Sequence, residues 1–298
     1  MRKLSDAFMA DLQSGFLMDL PRAVIKDPDL NLEIREHYLS IYYKGNSLLK
    51  LKEAHGPHVG LARYLREIHP KFLTDDVKVP EVFEDLRTTQ QFVKSIPALK
   101  RNIVAVTHGK QSLETEYEQL LIRANNFEAR NNSEYFLIDR QYVVGTERFD
   151  LIGICWERRH RRRGQEVPLC LMELKFALNP DIADVHDQLA RYYDAVTTRV
   201  PRIAEEVEVV FRQKLALGLY RQSPERATAM ETLTISRGLS QVKFILVLID
   251  YNPYSRILDV GKLVQLPFAG QVEVFRAGFA MWKQHVKPLT EFARSTAG

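Results

Sequence analysis

Apolar residues recur at a helical spacing from the start of the chain, with Leu4, Phe8, Leu12 and Phe16 four apart. This spacing predicts an amphipathic helix that ends where Pro21 interrupts the run. The segment LEIREHYLSIYYKGNSLLKL, residues 32 to 51, carries β-rich runs on either side of Lys44-Gly45-Asn46-Ser47 and predicts a β-hairpin. HGPHVG at 55 to 60 then leads into a stretch expected to be mostly helical as far as Lys100, punctuated by Pro70, Pro80 and Pro97. Beyond it the texture changes. SLETEYEQLLIRANNFEARNN predicts a long polar helix with Tyr117, Leu120, Leu121 and Ala124 as its apolar stripe. YFLIDRQYVVG, RFDLIGICW and VPLCLMELKF each read as strands, and a helix over 182 to 197 follows the third. VKFILVLIDY, residues 242 to 251, is almost continuously apolar, as a strand covered on both faces by helices must be. The expected fold is α/β in the α+β sense, a central mixed sheet flanked by helices. Residues 1 to 100 form a mixed N-terminal region of unassigned role, and 101 to 298 form the main domain.

Charge and composition narrow the classes. With 42 Lys+Arg against 38 Asp+Glu, a net charge of +4 and 45% hydrophobic residues, the chain of 298 residues is globular in type. No run approaches the roughly 20 apolar residues of a membrane helix, and the opening residues lack an apolar export segment. A cytoplasmic protein without membrane partners is expected. Two cysteines make neither a disulfide framework nor a four-Cys zinc site, and the eight histidines include no H-E-x-x-H spacing. Cys155 and Cys170 read as buried small apolar residues on the sheet face away from any chemistry.

The chemistry converges on the second and third strands. Asp150 and Glu173 lie equally far from a turn centred near Arg161-Arg162, so an antiparallel register sets them opposite each other. Side chains alternate along a strand, so Glu173 and Lys175 share the Asp150 face. Two carboxylates and a lysine at the edge of an apolar sheet face are costly to desolvate unless compensated. A divalent cation compensates them, since Mg²⁺ accepts one or two protein carboxylates together with water and phosphate oxygens. Lys175 then stands where it can orient or deprotonate a metal-bound water attacking phosphorus.

These residues resemble a known family. Asp150 followed by Glu173-Leu174-Lys175 looks like the D…(D/E)xK motif of the PD-(D/E)xK nucleases, the restriction-endonuclease-like superfamily. Gln188-Leu189-Ala190-Arg191-Tyr192 is similar to the Q-x-x-x-Y signature of the exonuclease branch found in recombination helicase-nucleases. Phe149 stands where the motif's proline would be. The resemblance covers about residues 112 to 197 and implies a restriction-endonuclease-like core and an Mg²⁺- or Mn²⁺-dependent nuclease. It assigns Asp150, Glu173 and Glu118 to the metal, with Glu114 as the substitute for Glu118, Lys175 to the water, and Gln188 with Tyr192 to orientation.

Nucleic acid, with DNA as the expected polymer, is the implied partner, and cutting two strands would suit a homodimer or a larger assembly. Arg148 flanks Asp150 and is a candidate phosphate contact. Arg158, Arg159, Arg161, Arg162 and Arg163 crowd the expected hairpin tip, where a basic cluster suits a phosphate backbone. At roughly 3.3 Å per residue the tip lies some 25 to 35 Å from the carboxylates, so it reaches only distant phosphates. His186 lies near Gln188 on the expected helix, and Tyr38, Tyr42 and Tyr43 are candidate stacking surfaces for bases. The alternative is a protein that uses the nuclease fold to bind nucleic acid or a partner without cutting, for example in defence or repair.

Overall fold

A computed structural model describes residues 1–54, 63–75, 77–107, 113–127, 133–157, 164–176, 179–220, 224–279 and 281. The chain folds as mixed α and β, with two five-stranded sheets and eight α-helices among the described residues.

Helix α1 (Asp6–Gln13) is capped by Ser5, whose hydroxyl accepts the Phe8 N–H at 3.1 Å, and it buries Phe8 and Leu12. The run ends earlier than Pro21. The chain turns at Ser14-Gly15, and Pro21 lies within the first turn of α2 (Asp19–Lys26), where a missing N–H costs nothing. Three strands follow as an antiparallel meander, β1 (Leu30–Arg35), β2 (Tyr38–Tyr43) and β3 (Asn46–Glu53). The β2–β3 turn is Lys44-Gly45 with φ of 46° and 75°, the left-handed pair of a two-residue hairpin turn. Gly45 is needed twice over, because a Cβ there would also run into Thr115.

The expected helical stretch to Lys100 starts much later. HGPHVG lies outside the described residues, and the chain then adds β4 (Tyr64–Glu67) and β5 (Val82–Phe83) to the first sheet. Among the described residues of this stretch, the α-helix is α3 (Leu86–Thr107), which runs through Pro97, preceded by a 3-10 turn at Pro70–Phe72. Pro70 opens that short turn and Pro80 lies in the extended chain before β5, while Pro97 sits within α3.

Helix α4 (Leu113–Asn126) packs two residues of the expected stripe, Tyr117 and Leu121, against the sheet but turns the other two outward. Glu118, Ile122 and Asn126 are buried, whereas Leu120 and Ala124 are exposed. The second sheet comprises β6 (Tyr135–Val144), β7 (Glu147–Cys155), β8 (Leu169–Phe176), β9 (Lys243–Ile249) and β10 (Val272–Ala277), in the order β10-β9-β8-β7-β6. β6, β7 and β8 pair antiparallel, and β8, β9 and β10 pair parallel. Between β8 and β9 come α5 (Val185–Val196), α6 (Val200–Ala216) and α7 (Pro224–Glu231), and α8 (Val260–Val264) precedes β10.

One sheet face packs Ile152, Leu171 and Phe244 with Leu189 of α5 and Phe211 of α6, and the other packs Leu151, Met172 and Ile245 with Ile122 of α4. The first of these cores extends without a break into the N-terminal sheet, from Leu4 to Phe268. Charged groups also bridge the two sheets. Arg35 of β1 donates to Asp139 and, at 2.9 Å, to the Arg140 carbonyl, while Arg2 also pairs with Asp139. Burial alone would raise the Asp139 pKa, but Arg35 and Arg2 outweigh it and hold the carboxyl well below the usual range. Among the described residues no helix is long and apolar enough to cross a membrane.

Candidate active site

The β7–β8 register sets Leu151 opposite Met172 and Ile152 opposite Leu171, which continues to Asp150 facing Glu173 as the sequence implies. The Leu174 N–H donates to Asp150 Oδ2 at 2.9 Å, fastening the two strands at that level. Glu173 and Lys175 are 4% and 8% exposed in a strand of apolar neighbours, so neither is an ordinary surface charge.

Glu173 is held from three sides. Lys175 Nζ lies 2.8 Å from its Oε1, and Gln188 Nε2 donates to the same oxygen at 2.7 Å. The second amide hydrogen of Gln188 reaches the Tyr192 hydroxyl at 2.7 Å. That hydroxyl sits 2.7 Å from both Glu173 Oε2 and the Arg148 carbonyl, with a single proton to donate between them. Gln188 and Tyr192 are one turn apart on α5, which is why both reach one carboxylate. Phe149 packs its ring 4.3 Å from that of Tyr192. Burial, reinforced by Glu173, raises the Tyr192 pKa far above its usual value, so the phenol stays protonated.

Asp150 lacks such neutralisation. Burial first, then the facing Glu173, pushes its carboxyl up to about 8, against the opposing pull of the Leu174 N–H. Two carboxylates share too little positive charge. Glu118 adds a third negative group nearby, but it is already paired. Arg140 Nε and Nη2 lie 2.8 and 2.7 Å from its Oε2, and Gln141 donates to Oε1. Burial raises the Glu118 pKa, with Arg140 opposing.

Gln141 was not singled out in the sequence. Its backbone is left-handed, φ 50°, two residues after a register shift in β6, and its amide spans Glu118 and Asp150, reaching Asp150 Oδ1 at 3.5 Å. The available signal was Asp139-Arg140-Gln141, three successive polar residues inside a strand otherwise apolar. An interior strand holds such a run only where each group has a partner.

The other candidates lie apart. The Arg148 side chain is exposed, and its main contribution to the cluster is its carbonyl. Arg158, Arg159, Arg161, Arg162 and Arg163 lie outside the described residues. Glu114 accepts from Asn179 Nδ2 at 3.2 Å, and His186 pairs with Asp187 at 3.4 Å. Cys155 and Cys170 are free and buried, and burial pushes the Cys155 thiol up to about 11. Each of the three tyrosines lies under a cation, Tyr42 under Arg140, Tyr43 under Lys100 and Tyr38 under Lys50.

The donor set is suited to a hard divalent cation. Asp150 and Glu173 offer carboxylate oxygens whose mutual repulsion such an ion would relieve, and Mg²⁺ and Mn²⁺ prefer oxygen ligands. Glu118, its charge neutralised by Arg140, fits as an electrostatic neighbour better than as a ligand. Among the described residues no three His, Cys, Asp or Glu side chains are gathered closely enough to hold an ion by themselves. No family model, curated protein or solved structure matches the chain.

Proposed function

We propose that the protein is a divalent-metal-dependent nuclease of the PD-(D/E)xK kind, hydrolysing phosphodiester bonds of nucleic acid, with DNA the expected polymer. The observation that carries this reading is the facing pair Asp150 and Glu173 with Lys175 on the same strand face, Glu173 being braced by Gln188 and Tyr192.

In this reading Asp150 and Glu173 hold the metal. A bound Mg²⁺ or Mn²⁺ supplies Lewis acidity toward the phosphate and lowers the pKa of a coordinated water. Lys175, paired with Glu173, would orient the attacking water, whose proton would pass to bulk solvent. Gln188 and Tyr192 keep the Glu173 carboxylate in one rotamer, so the geometry is set before substrate arrives. Glu118, through Gln141, adjusts the field at Asp150. Arg148 and the Arg158 to Arg163 run provide phosphate contacts, whose strength falls with salt.

The test is incubation of the purified protein with linear and circular DNA, single and double stranded, and with single-stranded RNA, in Mg²⁺, Mn²⁺ or EDTA, beside Glu173→Ala. Cleavage that requires both metal and Glu173 is expected. Cleavage that survives in EDTA or in the variant would overturn the assignment.

A second reading, a nucleic-acid-binding or interaction protein that does not cut, is supported by one specific feature. Both Glu173 oxygens and both Glu118 oxygens already have protein partners. Salt-sensitive binding without metal-dependent cleavage would favour it.

A further inference from the structure

The helix and strand that carry Glu118 and Gln141 continue into the wall of a cavity away from the carboxylate pair. It has a volume of about 330 Å³ and lies between α2, β1, α4, β6 and the chain just after α6. Small-molecule sites have volumes of roughly 300 to 1,000 Å³ and mostly apolar walls with a few fixed polar groups. Ile25, Leu32, Ile122, Leu137 and Leu219 supply the apolar wall here.

The polar groups among them are held in position by the protein. Asn31 Nδ2 donates to Glu33 Oε1 at 2.6 Å, and Lys214 Nζ donates to Glu33 Oε2 and to the Ile138 carbonyl, both at 2.6 Å. Asn126 is clamped to Leu137 by two hydrogen bonds, 2.5 Å to its carbonyl and 2.9 Å from its N–H. At the rim, Arg123 stands 3.7 Å from Asp29. Among the described residues, each cation on the wall has a carboxylate beside it, which weakens the attraction an anionic ligand would feel. Tyr220 also lines the cavity, and among the described residues its buried hydroxyl has no hydrogen-bond partner.

We propose that this cavity binds a compact, uncharged, mainly apolar small molecule carrying one or two polar atoms. It is separate from the nucleic-acid site and does not depend on the nuclease reading. An occupant bears on that site all the same, because Ile122 and Asn126 follow Glu118 at successive turns on the buried face of α4. Pressure on Ile122 is thus transmitted along one rigid helix to the carboxylate that Gln141 links to Asp150.

The probe for the test is N-phenyl-1-naphthylamine, uncharged and fluorescent in apolar surroundings, titrated into the full chain. Saturable single-site binding is expected. Ile25 is 37% exposed on α2, so Ile25→Trp adds bulk from the rim without disturbing the core, and it should weaken binding about tenfold or more. Hydrogen exchange with the probe bound should slow at residues 24 to 32 and 122 to 127. Absence of saturable binding would overturn the proposal. So would unaltered binding by an Ile25→Trp protein that melts like the wild type, or protection centred on the exposed Phe279 and Met281 instead.

Discussion

Replacing Asp150 by asparagine removes one of two facing carboxylates while keeping the shape of the side chain, and it should stabilise the metal-free protein. Burial and Glu173 hold the Asp150 carboxyl at about 8, against an ordinary 3.8. In the unfolded chain the proton is released near the ordinary value, whereas the folded chain keeps it to about 8. Stability from this group is therefore complete below about pH 4 and is lost progressively as pH rises toward about 8. The limiting slope is about 1.4 kcal/mol per pH unit, so a gap of about four pH units sets a ceiling of roughly 5 to 6 kcal/mol. Asp150 is only half-buried, and water and local relaxation screen the repulsion, which leaves about 1 to 3 kcal/mol as the expected gain. The asparagine keeps an oxygen for the Leu174 N–H and gives up only the 3.5 Å contact with Gln141. Urea unfolding of both proteins in EDTA, at about pH 5 and about pH 9, should show an advantage for Asp150→Asn that grows with pH. Mg²⁺ at about ten times its dissociation constant should raise the wild type by about 1.4 kcal/mol and narrow the difference. If the variant is no more stable than the wild type at the higher pH in EDTA, the two carboxylates do not repel and the argument for a cation there fails.

Three other substitutions probe the surroundings of the pair. Tyr192→Phe strips the hydroxyl shared by Glu173, Gln188 and the Arg148 carbonyl, and urea unfolding should register a loss of about 1 to 3 kcal/mol. Where the protein cuts DNA, the same variant should lower kcat more than it raises KM. Arg140→Met leaves the 1%-exposed Glu118 without its guanidinium and should cost about 3 to 5 kcal/mol, much of it recovered by adding Glu118→Gln. At Gln141, with φ 50°, glycine should give a protein about 1 kcal/mol more stable than alanine, since both lose the amide bridge and only alanine keeps the strain. Equal stability of those two variants would argue against a strained backbone at that point.

The strands that build the site were legible because their signal is local. β6, β7 and β8 are strongly apolar runs in sequence order, and an antiparallel register centred on the segment between β7 and β8 gives Asp150 and Glu173 as partners. The α5 brace was legible for a similar reason, since residues four apart share a helix face. Local patterns misled where the buried face is set by something distant. On α4, leucine and alanine promised an apolar stripe, yet the face turned inward carries Glu118, because Arg140 of β6 waits there to neutralise it. Between 63 and 85, prolines that resembled helix boundaries mark the bends of short strands on the first sheet.

The least legible feature is also the one that ties the first hundred residues to the candidate site. Asp139 is buried beside the Arg140-Gln141 pair and would be too costly to keep ionised by itself. Its partners are Arg2 and Arg35, more than a hundred residues earlier, and no periodicity or spacing in the sequence connects them. Lys214 of α6 serves Glu33 in the same seam, donating also to the Ile138 carbonyl just before Asp139. The hairpin tip at Gly45 completes the link by donating its N–H to Gln119, the neighbour of Glu118 on α4. The N-terminal sheet therefore supplies the charges and contacts that let β6 carry a polar run through the interior. Without that run, Arg140 would not neutralise Glu118, and Gln141 would not span from Glu118 to Asp150.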